Sequence, residues 1–173
     1  MSGMAIIPDT KDWTWVLQQT CEECGFDADA AEPTRAGEEV RAMVPRWGEA
    51  LARPDAAQRP DDATWSVLEY ACHVRDVLHL FADRLALIRE QDGPEFANWD
   101  QDATAAESRY ADQDPAVVTA ELAPAADAFA AEIDAVRDWS RPGLRSNGSA
   151  FTADTLTRYA LHDLVHHLHD VRA

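Results

Sequence analysis

The sequence predicts an all-α protein, a bundle of four long helices, and three observations carry that expectation. Four segments repeat their apolar residues every three or four positions, the spacing of one helix face. No convincing run alternates apolar and polar residues as a half-buried strand does. The connections vary in length, and the clearest turns are marked by proline and glycine. At 173 residues, with 46% apolar content and six tryptophans, the chain is long enough for one domain with a full core and too apolar to be disordered.

Residues 1–32 read as an N-terminal extension, packed on or preceding a bundle that spans 33–173. The extension holds the apolar patch Trp13-Thr14-Trp15-Val16-Leu17 and a turn-like stretch, Cys21-Glu22-Glu23-Cys24-Gly25-Phe26-Asp27. From Pro33 to Leu51, Val40, Met43, Val44, Trp47 and Leu51 mark an amphipathic helix that starts near a proline. Pro45 removes one backbone hydrogen bond and predicts a kink or a division there. After the polar loop Arg53–Asp62, Trp65–Arg89 is the longest clean helical pattern, with Tyr70, Val74, Val77, Phe81, Leu85 and Ile88 as its stripe. Gln91–Gln113 carries few aliphatic residues and reads as a long connection, a feature often tied to function, with Trp99 as a candidate pocket wall. Pro115–Trp139 is helical again, with Val118, Leu122, Phe129 and Ile133 on one face and Pro124 as a distortion. Arg141–Ser149 reads as a turn, and Thr152 as the N-cap of a last helix with Asp154 near its positive end.

Charge narrows the function classes. A net charge of −17 repels nucleic-acid phosphates and anionic lipid headgroups, and no basic cluster overrides it. No apolar run approaches the roughly 20 residues that span a bilayer. The expected partner is a small-molecule substrate, with no nucleic acid and no membrane, and the helical faces and tryptophans suit a homodimer. The opening Met1–Asp9 lacks the basic start and apolar stretch of a secretory signal, and three cysteines fit a reducing compartment, so the expected location is cytoplasmic.

Four of the six histidines, His162, His166, His167 and His169, crowd the last dozen residues. Neutral imidazole and carboxylate are common ligands of divalent metals, and residues four apart on a helix share a face. Two such pairs compete, His162 with His166 and Asp163 with His167. The face defined by Leu161, Leu164, Val165, Leu168 and Val171 leaves His167 about 80° from its centre, at the edge of the core, while His162 and His166 point more nearly to the opposite surface. Geometry therefore prefers Asp163 with His167 and leaves the other pair open. On the Trp65 helix, His73 lies roughly 70° from the core stripe, with Glu69 and Asp76 further along the same edge to orient its ring or carry a proton. A lone histidine there would more often be a hydrogen-bonded core residue, and a terminal His-rich stretch a solvated surface.

Trp65-Ser66, His73 eight residues after the tryptophan, Asp76, and the terminal helix with Asp163, His167 and Asp170 together resemble the DinB-like superfamily. That group includes the mycothiol-dependent maleylpyruvate isomerase metal-binding domain and related thiol transferases. The resemblance covers roughly residues 33–173. It implies a DinB-like four-helix bundle with a divalent metal at one end, held by His73 and by an i, i+4 pair of the last helix. Aligning the paired histidines selects Asp163 and His167, whereas an all-histidine set of His73, His162 and His166 is the competing arrangement. Zinc is the first choice, with nickel, iron and manganese as alternatives, and a low-molecular-weight thiol is the implied cosubstrate. The implied activity is a metal-dependent S-transferase or isomerase in which the metal activates a thiol or water, with Glu69, Asp76 or His166 as catalytic proton carriers. The other reading is a non-catalytic helical module that binds a small ligand or a basic protein partner.

Cys21-x2-Cys24 is half of a zinc motif, and with no second pair nearby it reads as two reduced thiols in a turn. Cys72 reads as a small buried side chain. There is neither a glycine-rich phosphate loop nor a Gly-x-Ser-x-Gly elbow.

Overall fold

A computed structural model describes Ile6, Pro8 and residues 11–173. The rest of Met1–Asp9, the stretch read for an address signal, lies outside the described residues. Each expected helix is present, and its boundaries follow from local chemistry. α1 (Ala36–Leu51) is entered through a single 3-10 turn at Pro33–Arg35, and Pro45 sits inside it without dividing it. α2 (Val67–Glu90) begins at a capping box: Ser66 Oγ accepts from the Glu69 N–H, and the Glu69 carboxylate accepts from the Ser66 N–H. A short α3 (Gln101–Glu107) follows, capped by Asp100. α4 (Pro115–Ala135) has Asp114 as N-cap and proline in its first turn, and it carries Pro124 internally. α5 (Ala153–Asp170) starts at Thr152, whose hydroxyl accepts from the Thr155 N–H.

The apolar stripes meet as their periodicity requires. α2 packs against α4 and α5, and α4 packs against α1. Leu85, Ile88, Leu122, Phe129, Leu156 and Leu161 are fully buried at the centre. Burial of each such side chain contributes roughly 1.5–3 kcal/mol.

Three expectations are corrected. Arg141–Ser149, read as a simple turn, is a hairpin arm: β2 (Pro142–Arg145) pairs antiparallel with β3 (Ala150–Thr152), with Gly143 opposite Phe151. The Gln91–Gln113 connection is also folded, because β1 (Glu95–Phe96) pairs parallel with β2 and α3 lies beyond it. The sheet order is β1-β2-β3. Gly148, at φ +95°, takes the left-handed conformation that the hairpin turn demands. The helix expected to reach Trp139 ends at Ala135.

The N-terminal segment runs along α5. The 3-10 helix Trp13–Leu17 buries Val16, and Arg158 of α5 donates to the carbonyl oxygens of Ala28 and Ala31. Among the described residues no helix is long and apolar enough to cross a membrane.

Candidate metal centre

α2 and α5 lie against each other, and helical spacing decides which polar side chains enter their seam. From α2 comes His73, only 1% exposed; from α5 come Asp163 and, one turn later, His167. His73 Nε2 lies 3.6 Å from Asp163 Oδ2, and His167 Nε2 lies 3.6 Å from Asp163 Oδ1. One ligand atom of each residue lies within 4.8 Å of the other two. Both His73 ring nitrogens and Asp163 Oδ2 are buried without a hydrogen-bond partner. A 3.6 Å gap is too long for a hydrogen bond, and buried polar atoms are ordinarily satisfied. It is instead the separation of neighbouring ligands: two atoms each about 2.0–2.2 Å from one tetrahedral zinc stand about 3.3–3.6 Å apart. The donor set thus fits a divalent cation.

The surroundings orient and cover these side chains. His167 Nδ1 is 2.8 Å from Asp170 Oδ2, a contact that fixes the ring and leaves Nε2 facing Asp163. Trp99 stacks on His73 at 5.4 Å between ring centroids and 17° between planes, and Tyr70 covers His167 at 5.1 Å. Burial pulls the His73 pKa down despite the nearby Asp163 carboxylate, which favours the neutral, ligating imidazole. Burial works against both charges of the Asp163 and His167 pair. Their mutual attraction prevails, holding the carboxyl well below its usual range and pushing the imidazole up to about 9. The raised imidazole pKa favours a His167 proton that balances Asp163, the proton a cation would replace.

Space adjoins the three residues on both sides. A pocket of about 320 Å³ is bounded by Asp163, His167, Trp13, Trp65, Tyr70 and Tyr159. A recess of about 90 Å³ on the other side reaches His73, Asp163, Trp99, Arg84 and Arg145.

The model of the DinB superfamily matches residues 36–171, nearly the whole helical bundle. The chain belongs to the DinB superfamily. Among solved structures it is similar to YfiT from Bacillus subtilis, described as a probable metal-dependent hydrolase with an unusual four-helix bundle topology. The TM-score is 0.66 at 18% identity, over 95% of this chain and 89% of YfiT, so the likeness is one of fold. No curated protein matches the chain.

Within this DinB fold the residues singled out from the sequence separate into distinct places. Asp163 and His167 meet His73, whereas His162 and His166 turn toward Cys21 and Cys24. Neither carboxylate expected to orient His73 bonds to its ring. Glu69 is consumed by the capping box and by Arg59, whose Nε and Nη2 both donate to it. Asp76 accepts from the Tyr110 hydroxyl and from Arg75 Nε. His166, expected as a proton carrier, lines the larger pocket, but its Nδ1 stands 3.7 Å from Cys21 Sγ and its Nε2 3.5 Å from Glu23. Trp99 is a wall of the recess on the His73 side. Cys21 and Cys24, read from the sequence as two reduced thiols in a turn, stand in the structure beside His162 and His166, a grouping that the sequence reading did not make. Their signal was present as two half-motifs, Cys21-x2-Cys24 and His162-x3-His166, far apart in the chain.

Proposed function

We propose that this protein is a divalent-metal-dependent enzyme acting on a small anionic molecule, with His73, Asp163 and His167 as the metal ligands. The observation that supports this most is the facing pair of buried, unpartnered ligand atoms on His73 and Asp163. Zinc suits two imidazoles and a carboxylate best, with nickel, iron and manganese as the other cations such a set holds. Three protein ligands leave a coordination position open, the arrangement of a catalytic rather than a structural site. A divalent cation held there supplies Lewis acidity that lowers the pKa of water or of a thiol nucleophile.

The chain's own residues do the rest. Asp170 holds the His167 tautomer, and Trp99, Trp65 and Tyr70 keep bulk water from the ligand rings. Arg84 and Arg145 set the polarity of the recess. Both are buried, and their side chains donate to neutral acceptors: Arg84 to the Ala97 carbonyl, and Arg145 to Asn147 and Ser149. Arg84 Nε has no hydrogen-bond partner. Two buried guanidiniums beside the centre favour a carboxylate or thiolate of the substrate.

The test combines metal analysis with turnover. Untagged protein is measured for bound metal and assayed against anionic esters for hydrolysis, and against a low-molecular-weight thiol plus an electrophile for transfer. His73→Ala is expected to lose one equivalent of metal and all metal-dependent turnover. Full metal retention in His73→Ala overturns the ligand assignment, and metal binding without turnover in either assay overturns the enzyme in favour of a binding module.

A further inference from the structure

We propose a second metal site, separate from the His73 centre, in which Cys21, Cys24, His162 and His166 bind zinc and fasten the N-terminal segment to α5. One ligand atom from each of the four lies within 4.8 Å of the others. Cys21 Sγ stands 3.7 Å from His166 Nδ1. Sulfur at about 2.3 Å and nitrogen at about 2.0–2.1 Å from one tetrahedral zinc are about 3.6 Å apart, so these two atoms already sit at ligand spacing.

The sequence spacing agrees. Two residues between the cysteines and three between the histidines is the pattern of Cys2His2 zinc sites, here assembled from a turn and a helix instead of one short segment. The turn is shaped for it. The Cys21 N–H donates to the Phe26 carbonyl and the Gly25 N–H to the Cys21 carbonyl, both at 2.8 Å, and Gly25 at φ +75° reverses the chain directly after Cys24. Cys21, His162 and His166 are each more than nine-tenths buried, and His162 Nε2 has no hydrogen-bond partner. A buried imidazole nitrogen without a partner, beside two thiols, is the counterpart of what His73 and Asp163 show at the first centre.

Four protein ligands close a tetrahedral set and leave no position for substrate, so this zinc is structural. Its consequence reaches the larger pocket all the same. Trp13 lies on the His162 and His166 rings at 5.6 and 5.1 Å and forms part of the pocket wall, so the metal that anchors the segment also holds that wall. Asp170 faces both sites. Its Oδ2 bonds His167, and its Oδ1 stands 3.8 Å from His166 Nε2.

The experiment is zinc stoichiometry by elemental analysis of untagged protein purified with reductant and zinc. Wild type is expected to hold two equivalents, and both His73→Ala and the Cys21→Ser/Cys24→Ser double variant one. Cobalt-loaded His73→Ala is expected to show thiolate-to-metal charge-transfer absorption in the near ultraviolet, and the double variant to lack it. A measurement on wild type alone covers the case in which the double variant does not fold. Cys21 and Cys24, located by mass spectrometry after thiol labelling, are expected to be protected with zinc and to react after chelation. A single equivalent in wild type, labelling unchanged by chelator, or a Cys21–Cys24 disulfide in the zinc-loaded protein would each overturn the proposal.

Discussion

Asp170 places one carboxylate oxygen on His167 and turns the other toward His166, and a single atom substitution isolates what that contact does. An imidazole whose second nitrogen meets a carboxylate is a better and better-aimed ligand, and loss of such a partner typically costs 10–100-fold in metal affinity. Asp170→Asn keeps the shape and removes the charge. We expect zinc binding at the His73 centre to weaken by about that factor in calorimetric titration, with the far-ultraviolet circular dichroism unchanged. Equal affinity in the variant would mean that Asp170 orients nothing. At this scale the sequence was informative where partners share a helix. Asp163, His167 and Asp170 lie three or four apart, so the helix period itself brings them together. The Cys21 to His166 contact spans 145 residues, and no local pattern reports such a pairing.

At the scale of elements, the start of α2 shows a carboxylate placed for folding where the sequence had suggested chemistry. Glu69 is 3% exposed; burial alone would raise its pKa, but the Arg59 guanidinium and the Ser66 contacts outweigh that and hold it below the usual range. A depressed folded-state pKa stabilises the fold fully above the unfolded value of about 4.3 and loses that contribution as pH falls through the folded value. Urea unfolding across pH 7 to 3 is therefore expected to show a steep acid limb in wild type. In Glu69→Gln that limb flattens, with a loss of about 1.5–3 kcal/mol at neutral pH. An identical acid limb in the variant would sink this account. The small sheet makes a different demand. A Cβ on Gly143 would lie 2.7 Å from Ile88 Cδ1 and 2.9 Å from Phe96 Cε1, so Gly143→Ala is expected to cost about 1–3 kcal/mol in thermal or urea unfolding. An unchanged midpoint would show that Ile88 yields freely. These strands escaped the sequence reading because they are two, four and three residues long. Such segments are too brief to display a period of two, whereas helices of 16 to 24 residues repeat their apolar face several times. The start of α5 was also legible from its cap Thr152, while the long connection concealed α3 because none of its seven residues is fully buried and no apolar stripe marks it.

For the whole molecule the question is which parts of the fold depend on metal. The buried stripes of α1, α2, α4 and α5 form one continuous core that owes nothing to either ligand cluster, so the bundle is expected to stand without a cation. Metal then acts by mass action on a preformed fold: zinc at 100 times its Kd adds about 2.7 kcal/mol for one site. For a chain of this length, 1 kcal/mol moves Tm by about 2–4 °C, so one occupied site raises Tm by about 5–10 °C. The net charge of −17 works in the same direction, since a bound dication relieves self-repulsion in the compact state. Chelation of the purified protein is expected to lower Tm by an amount in that range per site while leaving the helical circular dichroism at 25 °C unchanged. His73→Ala removes one site's share of the shift and Cys21→Ser/Cys24→Ser the other's, and the two losses add if the sites are thermodynamically independent. A larger combined loss would identify Asp170 as the link between them. Collapse of the helical signal on chelation would instead show that metal organises the bundle itself, and the division into a self-sufficient core and two metal clusters would be wrong.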